Sequence, residues 1–177
     1  MLVVLSGGPG AGKTAVLERL QALGFNTVPD VARALIAGRR ARGLSPRPPP
    51  AEFARSILKT DIENFTAVSR NQGPTFFERG VVDSLGMLAA LGELPETLRS
   101  QALERCRYHP GVLVFPPWQA IYHQDDERDQ NFEDAVDVYE FSCQWYVHCG
   151  YTLLEVPVGT VDERCEHVLR LLEIAHD

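Results

Sequence analysis

Short apolar runs alternate along the chain with longer segments in which apolar residues recur every three or four positions. The runs predict buried strands at about residues 2–6, 25–29, 74–78, 111–115 and 152–156. The periodic segments predict helices from about residue 13 to Gly24, from Asp30 to Gly38 or Gly43, and at about 51–71, 84–91, 95–107, 131–149 and 160–172. Strands that alternate with helices are typical of a parallel sheet with helices on both faces and right-handed crossovers.

The segment between the first strand and the first helix carries the most specific pattern. Its sequence, GGPGAGKT at residues 7–14, fits G-x-x-x-x-G-K-[ST], in which glycines let backbone N–H groups turn toward a phosphate. The lysine supplies positive charge for the β- and γ-phosphates, and the threonine hydroxyl is a ligand for Mg²⁺. The strand and helix on either side disfavour the alternative of an ordinary glycine-rich turn. We predict that ATP and Mg²⁺ bind here, with the nucleotide on Gly8, Pro9, Gly10, Ala11, Gly12, Lys13, Thr14 and Ala15.

This pattern, with the strand alternation, predicts a three-layer P-loop NTPase fold. The sheet is expected to hold five parallel strands in the order 2-3-1-4-5, with helices on both faces, within a single domain at 1–177. A polar, irregular segment at about 117–133 is expected to be a mobile lid over the site. The segment Ser45–Pro50 is rich in proline, which favours a surface loop over a recognition motif.

Composition narrows the class of partner. The 177 residues include 24 acidic and 17 basic side chains, and the net charge of -7 disfavours a nucleic-acid or membrane surface. The N-terminus lacks a signal-peptide pattern, so a cytoplasmic protein is expected. The four cysteines show no C-x-x-C pair and predict free thiols, and the spacing of Cys143, His148 and Cys149 disfavours zinc.

Charged residues follow two of the predicted strands, at the sheet edge where ligands bind in parallel sheets. Glu78 ends the third strand and is the candidate to hold Mg²⁺ together with Thr14, because the fourth strand ends at Pro116 without an acid. Asp30 is the candidate base for an attacking hydroxyl, and Arg79 would hold the substrate. Two alternatives stay open: Asp30 as a helix N-cap only, and Glu78 with Arg79 as a structural ion pair.

Two further charged residues have candidate roles. Arg128 lies in the predicted lid, where it could close over the transferring phosphoryl group; it could equally be one charge of a solvated face. Asp83 is a candidate substrate contact, with a helix cap as the favoured alternative.

Several segments together resemble the AAA-type predicted ATPase family related to the ribosylnicotinamide kinase module, within the P-loop kinases. The resemblance covers nearly the whole chain. It implies that Asp30 stands where glutamate is commoner, that Glu78, Arg79, Gly80 and Asp83 match an acid-Arg-Gly motif followed by Asp, and that Arg128 is the lid arginine. Glu78 and Arg79 also resemble the Glu-Arg pair of deoxynucleoside kinases, and this resemblance implies that a strand-end acid is the general base. The matching segments are GGPGAGKT at 7–14, VPDVAR at 28–33, FFERGVVDSLGM at 76–87, IYHQDDERDQNFEDA at 121–135 and GYTLLEVPVGTVDER at 150–164.

The function that we predict is a Mg²⁺-dependent kinase that transfers the γ-phosphoryl group of ATP to the hydroxyl of a small, nucleoside-like molecule. Lys13, Asp30, Arg79 and Arg128 are its candidate catalytic residues, and Asp30, Arg79 and Asp83 its candidate substrate contacts. By analogy with small P-loop kinases, adenine is expected near Pro157–Thr160. The alternative is a nucleotide-binding regulatory or ligand-binding protein that hydrolyses ATP or GTP slowly.

Overall fold

The computed structural model describes residues 1–46, 48–68, 73–122 and 131–174. Strands and helices alternate through most of this length. The strands are β1 (Leu2–Gly7), β2 (Asn26–Val28), β3 (Thr75–Glu78), β4 (Gly111–Phe115) and β5 (Thr152–Glu155). The helices are α1 (Lys13–Ala22), α2 (Val31–Ala41), α3 (Pro50–Ala67), α4 (Val81–Ala90), α5 (Glu96–Arg105), α6 (Phe132–His148) and α7 (Val161–Leu171).

The five strands form one parallel sheet in the order β2-β3-β1-β4-β5, which confirms the predicted fold. The central strand β1 pairs with β3 from Leu2 opposite Thr75, and with β4 up to Gly7 opposite Phe115. All six residues of β1 are buried, as expected for a strand covered on both faces. The carboxyl ends of β1, β2 and β3 therefore lie side by side, at the edge where ligands bind.

Two apolar cores cover the two faces of the sheet. Because successive side chains of a strand point to opposite faces, Val4 joins one core and Val3 and Leu5 join the other. The first core packs against helices α3 to α6, and the second against α1 and α7. Among described residues, no helix is long and apolar enough to cross a membrane.

Three helices begin or end away from their predicted bounds. Helix α4 begins at Val81 instead of residue 84, because the chain turns sharply at Arg79 and Gly80 and the helix follows at once. Helix α3 begins with Pro50 at its first turn, and it ends at Ala67, where Val68 takes an extended conformation. Helix α5 covers Glu96–Arg105, a shorter span than the 95–107 predicted.

One feature predicted from composition is met in the structure: all four cysteines are free thiols. No group of three or more His, Cys, Asp or Glu side chains that could hold a metal ion is found among the described residues. Residues 123–130, the middle of the predicted lid, lie outside the described residues. The described part before them contains a 3-10 turn, Gln119–Ile121.

Candidate active site

The loop between β1 and α1 has the backbone geometry that its glycines permit. Gly12 stands at the N-cap of α1 with φ 81°, in the left-handed region that favours glycine. A Cβ at Gly12 would lie 2.6 Å from Arg164 Nη1, and a Cβ at Gly8 would clash with the carbonyl oxygen of Ala135. Glycine is thus required here by both conformation and close packing. Pro9 to Ala15 line the cavity, so the loop and the N-terminus of α1, whose first N–H groups have no partner within the helix, lie at the cavity.

Lys13 is buried inside this loop. Its Nζ donates a hydrogen bond to the Gly8 carbonyl oxygen at 2.7 Å and lies 3.4 Å from that of Gly7. Burial, followed by the nearby positive charge of Arg79, lowers the pKa of Lys13 from 10.5 to about 7, although the carboxylates of Glu78, Asp30 and Asp83 oppose this change. Polyanionic phosphates beside Nζ would favour the charged form, so this lysine is suited to bind them.

Thr14, in the first turn of α1, contacts Glu78 at the end of β3. The Thr14 hydroxyl donates to Glu78 Oε1 at 2.8 Å, and Glu78 is only 4% exposed. Because the hydroxyl proton points at the carboxylate, the oxygen lone pairs of Thr14 are left for a cation. A hydroxyl oxygen backed by a carboxylate is a donor set that fits Mg²⁺, which takes oxygen ligands and keeps several waters. These two residues therefore fit the predicted metal site.

Arg79 joins three parts of the site. Its Nη2 donates to the Gly7 carbonyl oxygen at 2.9 Å, Nε lies 3.5 Å from Asp30 Oδ2, and Nη1 lies 3.5 Å from Asp83 Oδ1. Burial alone would lower the pKa of Arg79, but the carboxylates of Asp83, Asp30 and Glu78 outweigh it and raise the pKa. The ion pairs of Arg79 are thus with Asp30 and Asp83, and the expected alternative of a Glu78–Arg79 pair is wrong.

The backbone of Arg79 is strained. Its φ of 64° lies in the left-handed region, which costs a residue with a side chain about 1–3 kcal/mol. Residues held in this way cluster at active sites, where the surrounding structure compensates for the strain. The turn also ends β3 and starts α4 within two residues, so the guanidinium is directed across the end of the sheet.

Asp30 caps helix α2, which is one of its two predicted roles, and its role as a base stays a prediction. Its Oδ1 caps α2 by accepting from Ala32 N at 2.7 Å and Arg33 N at 3.4 Å. Its other oxygen, Oδ2, faces Arg79. A carboxylate fixed through one oxygen keeps the second oxygen in a constant position, as a base for one particular hydroxyl requires.

Asp83 is held entirely by protein groups. Its Oδ1 accepts from Ser6 Oγ at 2.5 Å, and its Oδ2 accepts from Tyr146 Oη at 2.6 Å and Gly80 N at 3.0 Å. The last of these bonds is the helix-capping contact favoured from the sequence. With its side chain 5% exposed, Asp83 is placed to position Arg79. A direct contact between Asp83 and substrate stays a prediction.

A cavity of about 700 Å³ extends from the loop into the space between α2, α3 and α4. The loop and the charged residues form one end, and the other end is mainly apolar. The sequence did not predict that residues within α2, α3 and α4, other than Asp83, or Pro48 and Pro50 of the proline-rich segment, would face a ligand. The cavity residues beyond the predicted site are Val31, Ala32, Arg33, Ile36, Pro48, Pro50, Phe53, Ile57, Asp61, Ser84, Met87, Ala90, Leu91, Ile121 and Val138.

Two buried polar residues near the site were missed, although the sequence holds a signal for each. Asp61 lies 3 and 4 positions after the apolar residues Leu58 and Ile57, so it falls on the buried face of α3. Arg164 interrupts the apolar face of α7 and donates from Nη1 to the Ala11 carbonyl oxygen at 2.9 Å. Its Nε and Nη2 are buried without a hydrogen-bond partner in the described structure. A charged residue inside an apolar helical face was the signal in both cases.

The last predicted catalytic residue, Arg128, lies outside the described residues. The residues before it do approach the loop. A Cβ at Gly10 would lie 2.5 Å from the Tyr122 ring, and one at Gly12 would lie 3.2 Å from Ile121 Cδ1. The start of the predicted lid segment therefore covers the phosphate-binding loop.

Comparisons with solved structures support this fold. Deoxyadenosine kinase from M. mycoides, solved with dCMP and dCDP, is 12% identical with a TM-score of 0.67, over 98% of this chain and 99% of that chain. The NadR protein in complex with NR is 12% identical with a TM-score of 0.72, over 99% of this chain and 52% of that chain, so this chain spans about half of it. Shikimate kinase from Aquifex aeolicus is 13% identical with a TM-score of 0.58, over 98% and 96%. At such identities the likeness shows the fold alone.

Sequence comparison provides the family. No curated protein matches the chain significantly. A family model described as an AAA domain matches residues 2–164, nearly the whole chain, including the phosphate-binding loop, Asp30 and the Glu78–Arg79 turn. The chain therefore belongs to this AAA-domain family, and it has the fold of the P-loop kinases.

Proposed function

We propose that the protein is a Mg²⁺-dependent kinase that transfers the γ-phosphoryl group of ATP to the hydroxyl group of a small, nucleoside-like molecule. The observation that carries this proposal is the cavity of about 700 Å³ that continues from the phosphate-binding loop past Asp30 and Arg79 into an apolar end. A hydrolase needs space for one water molecule, whereas a kinase needs space for an acceptor. The fold likeness to deoxyadenosine kinase, NadR and shikimate kinase supports the same conclusion.

The phosphate-binding loop and Lys13 would hold the β- and γ-phosphates of ATP. Thr14 would bind Mg²⁺ through its hydroxyl oxygen, and Glu78 would fix that hydroxyl by accepting its hydrogen bond. Mg²⁺, when bound, neutralises charge on the phosphates and orients them. We place the adenine toward Pro157–Thr160, after the last strand, as expected from small P-loop kinases.

Asp30 and Arg79 would carry the transfer to the acceptor. The acceptor hydroxyl gives its proton to Asp30 Oδ2 as its oxygen forms a bond to the γ-phosphorus, and the bond from that phosphorus to the ADP oxygen breaks. Asp30 then releases the proton to solvent. The Arg79 guanidinium orients Asp30 and stabilises the negative charge on the transferring group. We assign Arg128 the same charge-stabilising role from the lid, and we retain Asp83 as a candidate that acts near the substrate.

The experiment is a screen of hydroxyl-bearing metabolites with ATP and Mg²⁺, followed by ADP release and by mass spectrometry of the phosphorylated product. The decisive variant is Asp30→Asn, because the amide oxygen keeps the cap on α2 while the base is removed. We expect the variant to bind ATP with unchanged affinity and to lose product formation by at least about 100-fold. ATP hydrolysis without any phosphorylated product, at the same rate in Asp30→Asn, would refute the proposal in favour of a hydrolytic or regulatory protein.

A further inference from the structure

The apolar end of the cavity contains a pair of buried polar side chains that the proposed reaction does not use. We propose that Asp61 and Ser84 determine acceptor specificity, by accepting a hydrogen bond from an N–H or O–H group on the acceptor's ring while the apolar wall packs against the rest of that ring. The acceptor class is thus an alcohol with a largely apolar ring that carries a hydrogen-bond donor. This inference rests on the proposed function, since it concerns the same cavity.

Asp61 is placed for this role by helix α3. It is 7% exposed and lies on the helical face that also buries Ile57, Leu58 and Phe65. Its Oδ2 accepts from Ser84 Oγ of α4 at 2.9 Å, and both residues line the cavity. Within the described residues, no hydrogen bond reaches Oδ1. A buried carboxylate with one partner is costly to the fold, and a ligand that donates to the free oxygen would remove that cost.

Ser84 can support either proton arrangement of the pair. Besides Asp61, its hydroxyl lies 3.1 Å from the Val81 carbonyl oxygen and 3.4 Å from that of Gly80. A hydroxyl has one proton, so when Ser84 donates to the helix its oxygen accepts from a protonated Asp61. When Ser84 donates to Asp61, the ionised carboxylate accepts from the ligand. At high pH, the ionised pair therefore accepts a hydrogen bond from a ligand. At low pH, the pair carries one additional proton, on Asp61.

The charge state of Asp61 changes near neutral pH. Burial is the main cause that raises its pKa from 3.8 to about 7, and the charges of Asp83 and Asp30 act in the same direction. The Ser84 hydrogen bond and the charge of Arg79 oppose this rise. Tyr108 is another titratable neighbour, and its own burial keeps it neutral by raising its pKa. Both forms of Asp61 are thus populated between about pH 6 and pH 8.

The apolar side chains around Asp61 and Ser84 suit the apolar part of the acceptor's ring. They come from three helices, and two of the side chains, Met87 and Leu91, are 38% and 45% exposed. Covering such residues with an apolar ring removes apolar surface from water and stabilises the complex. The apolar side chains that face the ring are Ile36, Phe53, Ile57, Met87 and Leu91.

The test uses matched probes that differ in one hydrogen-bond donor group. We choose adenosine with N6,N6-dimethyladenosine, and uridine and thymidine with their 3-methyl derivatives. Binding is measured by saturation-transfer NMR and titration calorimetry, separately from phosphorylation. We expect the protein to bind at least one donor-bearing probe 10-fold or more tightly than its methylated partner at pH 8, and this ratio to fall toward pH 6, where Asp61 is protonated.

The variants separate recognition from folding. Asp61→Asn and Ser84→Ala are expected to reduce the ratio to within about 3-fold, with ATP affinity unchanged. Glu63→Gln is the matched control, because it makes the same acid-to-amide change on α3 at a side chain that is 62% exposed, and it should leave the ratio unaltered.

Separate outcomes would overturn this inference and the proposed function. Absence of discrimination in the wild type, failure of all probes to bind, or an unchanged ratio in Asp61→Asn would each overturn the role of Asp61 and Ser84. Discriminating binding without phosphoryl transfer would sustain that role and contradict the proposed kinase.

Discussion

The buried carboxyl of Asp61 should make the stability of this protein decrease as the pH rises. The folded-state pKa of about 7 exceeds the ordinary value of 3.8. Between these two values the unfolded chain releases the proton while the folded chain keeps it, so proton binding favours the folded state and its benefit is lost as the pH increases. Above about pH 7 both states are ionised and the loss is complete.

The magnitude follows from the separation of the two pKa values. One pKa unit corresponds to about 1.4 kcal/mol, so three units correspond to about 4 kcal/mol in all. Since part of this lies below pH 5, the loss between pH 5 and pH 8 is about 3 kcal/mol. Asn at position 61 can accept the same hydrogen bond from Ser84 without titrating. The Asp61→Asn variant should therefore gain about 3 kcal/mol relative to the wild type over this range.

The assay is urea unfolding of the wild type and Asp61→Asn at pH 5, 6, 7 and 8. Taking the difference between the two proteins at each pH removes the contributions of the other titrating groups. Glu63→Gln on the same helix should run parallel to the wild type, because that side chain is 62% exposed. If Asp61→Asn also ran parallel to the wild type, Asp61 would be an ordinary ionised carboxylate and the argument for its buried state would fail.

Three other predictions concern the phosphate end of the site. The pKa of Lys13 is lowered to about 7, and bound phosphates would raise it, so ATP binding at pH 8 should be accompanied by uptake of about 0.9 proton. Calorimetry in buffers of different ionisation enthalpy measures this uptake, and release of protons would contradict the prediction. Glu78→Gln should raise the Mg²⁺ concentration for half-maximal activity about 10-fold, in a metal titration at saturating ATP, and an unchanged midpoint would remove Glu78 from the metal site. Arg79→Lys should lower kcat about 100-fold in steady-state assays, because one ammonium group cannot reach Gly7, Asp30 and Asp83 together; near-normal turnover would mean that charge alone suffices.

The sheet could be predicted because its signals are local. Apolar runs such as 112–115 are too short for helices and are fully buried in the structure. The start of α4 could not be predicted in the same way. Val81 and Val82 follow β3 closely and are apolar like its residues, and only Arg79, in its left-handed conformation, and Gly80 separate strand from helix. Nothing in a sequence pattern marks a left-handed conformation at arginine, since that conformation is imposed by tertiary contacts.

The same distinction applies to the site. The phosphate-binding loop is contiguous, and Asp30, Glu78 and Arg79 meet because parallel strands end at one edge, so the pattern and topology suffice to predict them together. Asp61 and Arg164 depend on which helix packs opposite, and this information lies in distant parts of the chain. In the sequence, the burial of Asp61 and Arg164 is indicated only by the position of a charged residue on an apolar helical face.

The strained turn at Arg79 shows how the fold supports the site. Arg79 binds the Gly7 carbonyl oxygen of the phosphate loop and faces Asp83, which in turn accepts from Ser6 of β1 and Tyr146 of α6. These bonds connect the central strand, two helices and the loop through one guanidinium and one carboxylate. A backbone conformation that costs about 1–3 kcal/mol is maintained because leaving it would unpair several buried polar groups at once. The position of the Arg79 guanidinium is therefore set by the packing of the whole sheet edge, which is why it can act as a fixed charge beside Asp30.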